Sequence, residues 1–253
     1  MSTFLQQLVN GISLGSTYAV FAMGCTLIFG VLNIVNMAQG AFFMGGAYFG
    51  LEAARLGLPA PLALTVALAG GGLLGMLSEL MIFGTLRARG GHRWMGLVAS
   101  LALARMMVGL AQEIFGTQVQ RYPASNFLQI FWEIGGVRIQ LLQVVILVVS
   151  LLLMGGLAFI LQRSSTGRAI RTVAFSEDVA RIVGVPVGRT ILATFFLAGA
   201  LAGAAGMLLG NLFNVVSPFM GEQMLVKGLT VIILGGLGNV PGAVAGGFLL
   251  GLI

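Results

Sequence analysis

Apolar runs of about twenty residues, long enough to cross a bilayer's hydrocarbon core, follow one another along this chain with only short polar breaks. Charged side chains make up 8% of the 253 residues and hydrophobic ones 58%. Water-soluble domains carry about 25% charged residues, so this sequence lacks the charge to cover a solvated surface. The same apolar excess rules out disorder. Its 39 glycines follow no period of three, which rules out a collagen helix. The expectation is an all-α, polytopic transmembrane bundle that uses residues 1–253 as a single transmembrane domain and rests in a lipid bilayer.

The runs place about seven spans, near residues 8–29, 31–50, 60–83, 94–114, 140–161, 191–213 and 228–253. The second is interrupted by Asn33, Asn36, Gln39 and several glycines, and the seventh by the stretch Gly235 to Gly242. Broken helices at membrane depth require protein or water to satisfy the freed backbone, and such breaks mark transport paths. Pairs of glycines four residues apart, such as Gly11/Gly15, Gly71/Gly75 and Gly199/Gly203, predict close helix contacts.

Twelve of the thirteen cations are arginine. They concentrate in residues 84–93 (Arg87, Arg89, Arg93) and 162–190 (Arg163, Arg168, Arg171, Arg181, Arg189). Cytoplasmic loops collect such residues, so the net charge of +6 reports orientation and not nucleic-acid binding. Two spans separate these loops and three precede the first, which predicts an outside N-terminus. The first eleven residues carry no Lys or Arg, so they read as the start of a span and not as a cleaved leader. That parity holds only if residues 31–50 cross completely.

Catalytic signatures are missing. His92 is the only histidine, Lys227 the only lysine and Cys25 the only cysteine. A His-based triad, a zinc-protease motif, a Walker A loop and a disulfide within the chain are therefore excluded. No cofactor is expected on this chain. Ionisable groups within spans carry a functional reading by default, and here they are Glu79, Arg105 and Glu113. Glu79 and Arg105 are a candidate pair, serving either structure or transport. The uncharged candidates for a translocation path are Asn33, Asn36, Gln39, Asn211, Asn214 and Asn239, each of which also suits interhelical hydrogen bonding.

Residues 162–190 are the most informative stretch. Ser176 is a suitable N-cap, and Glu177 and Asp178 place acids in the first turn. Phe175, Val179, Ile182 and Val183 then share one face, and Gly184 before Val185-Pro186 stops the helix. This predicts a short amphipathic helix on the cytoplasmic surface. Its polar face is mixed in charge, which favours docking to a partner over resting on lipid.

Three blocks carry a family likeness. Thr166-Gly167-Arg168-Ala169-Ile170-Arg171 with Glu177-Asp178-Val179-Ala180-Arg181 and Gly184-Val185 resembles the coupling loop of permease subunits of branched-chain amino-acid ABC importers. Leu27 to Met44 and Ile233 to Ala243 resemble the same family's early segment and last span. Members often carry His where this chain has Gln39. They also continue by roughly one more span, so Ile253 is expected to be a truncation point. The resemblance implies a non-enzymatic ABC permease of the bacterial inner membrane that translocates branched-chain or related amino acids. It implies a second related permease, two cytoplasmic ATPase subunits that use the ATP, and an extracytoplasmic solute-binding protein. Arg168, Arg171, Ser176, Glu177, Asp178, Val179, Ala180, Arg181 and Gly184 would form the ATPase-coupling site. Urea or short amides are the alternative cargo, and a self-sufficient channel or carrier the alternative mechanism.

Overall fold

A computed structural model describes residues 2–32, 36–90, 93–123, 131–134 and 137–253. The chain forms α1 (Ser2–Leu32), α2 (Gln39–Arg55) and α3 (Ala60–Ser78). One π-helical turn (Glu79–Phe83) carries α3 into α4 (Gly84–Ala88), and α5 (Arg93–Phe115) follows. A hairpin, β1 (Phe131–Ile134) and β2 (Val137–Gln140), pairs Glu133 with Arg138 across its strands. Then come α6 (Leu141–Arg163), α7 (Ser165–Phe175), α8 (Glu177–Ile182), α9 (Val187–Phe213), α10 (Met220–Gly235) and α11 (Val240–Leu252).

The all-α membrane architecture expected from hydropathy is present. Among the described residues, five helices, α1, α3 with its continuation, α5, α6 and α9, are long and apolar enough to cross a bilayer. The other two expected spans differ from the apolar runs. The second begins at Gln39 and not at residue 31, and continues to Arg55. The seventh is two short helices, because Gly236 (φ 89°) and Gly238 (φ 82°) take left-handed backbone between them. Its first half also starts at Met220, eight residues before the expected boundary, so Glu222 and Lys227 lie on a helix and not in a loop.

α9 is the centre of the bundle, packed against α3, α2 and α1, while α11 lies along α1. Small residues make this possible: lipid offers no hydrophobic drive between helices, so close backbone approach must hold them. A Cβ on Gly15 would stand 2.9 Å from the Cα of Phe248, and one on Gly71 2.8 Å from the Cα of Gly203. Gly46 meets the same Gly203 from α2. By contrast α5 and α6 expose Leu101, Met106, Leu110, Val148, Leu151 and Leu152 as an apolar outer surface.

Direction follows from these contacts. α9 leaves the end of the bundle that carries α7 and α8; α2 runs parallel to it and α3 antiparallel. Gly84, Arg87 and Ala88 border the same cleft as Arg181, Val187 and Gly188, so both arginine-rich loops lie at one end. At the other end the backbones of Gln120 and Val216 bridge, at 2.8 and 2.9 Å. Tyr122 donates to the carbonyl of Ala47 at 3.0 Å, and burial pushes its phenol pKa up.

Candidate translocation path and coupling site

α2 begins in the interior of the bundle. Gln39 is fully buried and donates through Nε2 to the carbonyl of Ala198 at 2.9 Å. Ala198 lies eleven residues into α9, about 16 Å along its axis at 1.5 Å per residue. Gly24 packs against the same two groups, its added Cβ meeting both at 2.8 Å. Asn36 is 8% exposed and accepts from the Ala38 amide at 3.0 Å. The Met37 amide donates to Ser100 Oγ on α5 at 3.1 Å. Asn36 Nδ2 and Gln39 Oε1 have no partner among the described residues. Buried polar atoms without partners are costly, so a donor and an acceptor stand ready for water or a polar solute midway through the bundle.

The other path candidates do not gather there. Asn211 donates to the carbonyl of Met207 at 3.0 Å within α9. Asn214 ends α9 in left-handed backbone (φ 51°) and accepts from the Tyr122 amide at 2.9 Å. Both sit at the end of the bundle opposite α8. Asn239 is exposed and caps α11, accepting from the Gly242 amide at 3.2 Å. Asn33 lies outside the described residues.

The candidate pairing of Glu79 with Arg105 is not formed. Glu79, 3% exposed at the start of the π-turn, accepts instead from Arg87 eight residues on. The π-turn shifts the helix register so that the two meet. Arg105 pairs with Glu222 at the start of α10. Arg105 is twelve residues past Arg93 on α5, about 18 Å along the helix. Lys227 donates to the Tyr18 hydroxyl at 2.7 Å and lies over its ring, 4.9 Å from the centroid. Reading residues 214–227 as a loop hid both charges. The available signal was helical spacing: Glu222, Gln223, Lys227 and Thr230 fall on one face of α10, with Gly221, Met224, Gly228 and Val231 on the other.

The loop between α6 and α9 contains two helices where one was expected. Ser164 accepts from the Gly167 amide at 2.9 Å and starts α7. Gly167 packs directly on the last carbonyls of α6, where a larger residue has no room. Arg171 donates to the carbonyl of Leu161 and fastens the two helices. Arg168, Arg171, Thr172 and Phe175 line an open groove on this side. Ser176 then caps α8, accepting from the Val179 amide at 3.3 Å. Gly184 takes φ 78°; its amide reaches Arg181 O at 3.1 Å, and the Val185 amide reaches Ala180 O at 2.9 Å. This is the paired 5→2 and 6→1 bonding of a glycine stop. Glu177 and Arg181 pair along the helix at 3.7 Å. Ala180 is fully buried against the bundle, whereas Phe175 and Ile182 are each 84% exposed, with Val179 and Val183 exposed beside them. Asp178 is exposed on the same small element.

Residues 7–253 match the family model described as branched-chain amino acid transport system permease component. The chain is 34% identical to the high-affinity branched-chain amino acid transport system permease protein BraD of Pseudomonas aeruginosa, covering 98% of this chain and 84% of that one. It is 32% identical to the corresponding LivH of Escherichia coli K12, with the same coverage. A probable branched-chain amino acid transport permease of Methanocaldococcus jannaschii is 29% identical over 92% of this chain and 74% of its own.

Proposed function

The chain belongs to the branched-chain amino acid transport permease family, and from that premise we propose that it translocates branched-chain amino acids as one permease of an ATP-driven importer in the bacterial inner membrane. A second related permease completes the path, two ATPase subunits bind at the α8 end, and a solute-binding protein delivers cargo at the opposite end. The α8 end is then cytoplasmic, which agrees with the arginines gathered there and sets the N-terminus outside. ATP is consumed on the partners, and this chain is not itself an enzyme. The relatives' names favour branched-chain amino acids over urea or short amides.

The observation that carries this reading is α8. An element of six residues that buries only Ala180, turns Val179 and Ile182 outward and is flanked by the exposed Phe175 and Val183 is not stabilised by what it covers within the chain. It is held by its caps, as a rigid projection offered to a partner. Lodged in an ATPase, it moves with that subunit and pulls α7 and α9 with it, since both flank it directly.

Purified full-length assembly in proteoliposomes, with ATP inside the compartment that holds the ATPases, is expected to accumulate leucine only when ATP and the binding protein are present. Gly184→Val places a β-branched residue in left-handed backbone, costing roughly 1–3 kcal/mol locally. The permeases should still co-purify, while leucine uptake and cargo-stimulated ATP hydrolysis both fall by about tenfold, the factor that 1.4 kcal/mol represents. Normal uptake with the ATPases bound as before would refute the coupling role of α8.

A further inference from the structure

The first half of α10 exposes polar and charged groups that a lipid-facing helix would turn inward. The buried side of α10 is Gly221, Met224, Gly228, Val231 and Ile232; its exposed side carries Glu222, Gln223, Lys227 and Thr230 with Val226 among them, and turns apolar only in the last turn, at Ile233 and Leu234. Arg105 joins this face from α5; its side chain is 63% exposed and that of Glu222 44%. Intramembrane charges face a bundle interior or a water-filled cavity, because hydrocarbon penalises them heavily. Arg105 stands about 18 Å along a helix of 23 residues, too deep for its partner and itself both to reach an interface.

Beside the pair, α2, α5 and α10 enclose a cavity of about 190 Å³ lined by Met37, Met44, Leu101, Val108, Leu225 and Val226, with Arg105 and Glu222 at its rim. The backbones of Gly40 and Gly221 touch at its base, bringing the N-termini of α2 and α10 together. The site therefore offers one cation, one anion and an aliphatic recess, with no net charge. A free amino acid with an aliphatic side chain presents the matching set.

We propose that the exposed face of the first half of α10, from Glu222 to Thr230, walls the water-filled path, and that the Arg105–Glu222 pair receives the cargo there as a zwitterion. Arg105 takes the α-carboxylate, for which a guanidinium fork is suited, Glu222 takes the α-ammonium, and the apolar recess takes the branched side chain. The pair opens to admit the guest and closes behind it, so neither charge is left unpaired. An ion pair in this role selects against guests that lack either charge, since each would strand one partner. The proposal rests on the amino-acid permease reading and adds the place and chemistry of recognition.

The complete assembly carrying Cys25→Ala and Ala104→Cys keeps the pair intact and puts a thiol on the cavity wall. A water-soluble maleimide should modify position 104, and millimolar leucine should slow that reaction several-fold in at least one nucleotide state. The same concentration of 4-methylvalerate, without the ammonium, or 3-methylbutylamine, without the carboxylate, should not. An unreactive thiol, no protection by leucine, or equal protection by all three compounds would overturn the proposal. In uptake, Arg105→Gln and Glu222→Gln should each lower leucine transport by about tenfold or more, since each removes a charged hydrogen-bond partner of the cargo. The exchanged pair Arg105→Glu/Glu222→Arg should leave co-purification of the subunits normal and should not restore transport. Restoration of transport would make the pair a structural clasp. Failure of the unmodified assembly to take up leucine would refute the proposed function itself, whereas a failure confined to these comparisons refutes only the recognition site.

Discussion

α9 and α10 are successive apolar helices of one chain, yet α9 is covered on nearly every side and α10 on one side only. α9 buries Thr194, Phe195, Gly199, Gly203 and Gly206 and serves as the axis around which α1, α2 and α3 pack. α10 buries Gly221, Met224, Gly228, Val231 and Ile232 on one side and leaves the other uncovered, polar at Glu222, Gln223, Lys227 and Thr230 and apolar at Val226, Ile233 and Leu234. In lipid, small residues hold helices together because backbones can touch. Polar residues left outside such contacts mark surfaces that hydrocarbon does not reach. On the proposal above, the contrast separates the frame of the permease from the wall of its path.

The sharpest way to break the contrast is to enlarge the axis. Gly203 faces backbone of both α2 and α3, and a Cβ there would stand 3.0 Å from the Cα of Gly71. Gly203→Val should cost about 3 kcal/mol or more, as overpacking against main chain does. Thermal unfolding of the purified permease, or its loss from the membrane fraction, checks this; a normally stable variant would show that α9 is not the frame.

A smaller effect distinguishes the two faces of α10. Thr230→Leu removes a hydroxyl that only returns to the Val226 carbonyl at 3.0 Å. Assembly should be unchanged while leucine uptake falls several-fold, because an apolar side chain narrows and dries the path. If uptake stays normal and the subunit becomes more stable, the face lies against lipid.

The smallest effect is the control for the periphery. Gly156 on α6 is exposed and has open space where a Cβ would be. Gly156→Ala should leave transport unchanged and stabilise the helix by up to about 1 kcal/mol. Destabilisation detected by the same thermal assay would mean that α6 is as tightly packed as α9.

Much of the frame was legible from residue order. The five long spans appear close to their expected positions, and α6 (Leu141–Arg163) nearly matches the run 140–161. α8 was legible down to its caps, because Ser176 and Gly184 act on the backbone within a few residues of themselves. α7 was not singled out, although Ser164 is as clear a cap as Ser176. Its polar and apolar residues alternate over only eleven positions, and its start abuts the end of α6. For the path, Asn36 and Gln39 lie buried near the bundle centre, whereas Asn211 and Asn239 spend their amides on local backbone and Asn214 on the distant Tyr122 amide.

Hydropathy, loop charge and capping thus determined the class of protein, the number of apolar segments and the projecting α8, since each signal is written in neighbours along the chain. Only the tertiary structure decided which charges meet. Glu79 turns to Arg87 because a π-turn shifts the register, and Arg105 finds Glu222 from 117 positions away. It also decided that α10 begins inside the bundle beside Gly40, which no local pattern announces. The physical reason is range: a span is selected by its own apolar length, whereas a path is made where separate helices present polar groups to one another across space that lipid does not fill.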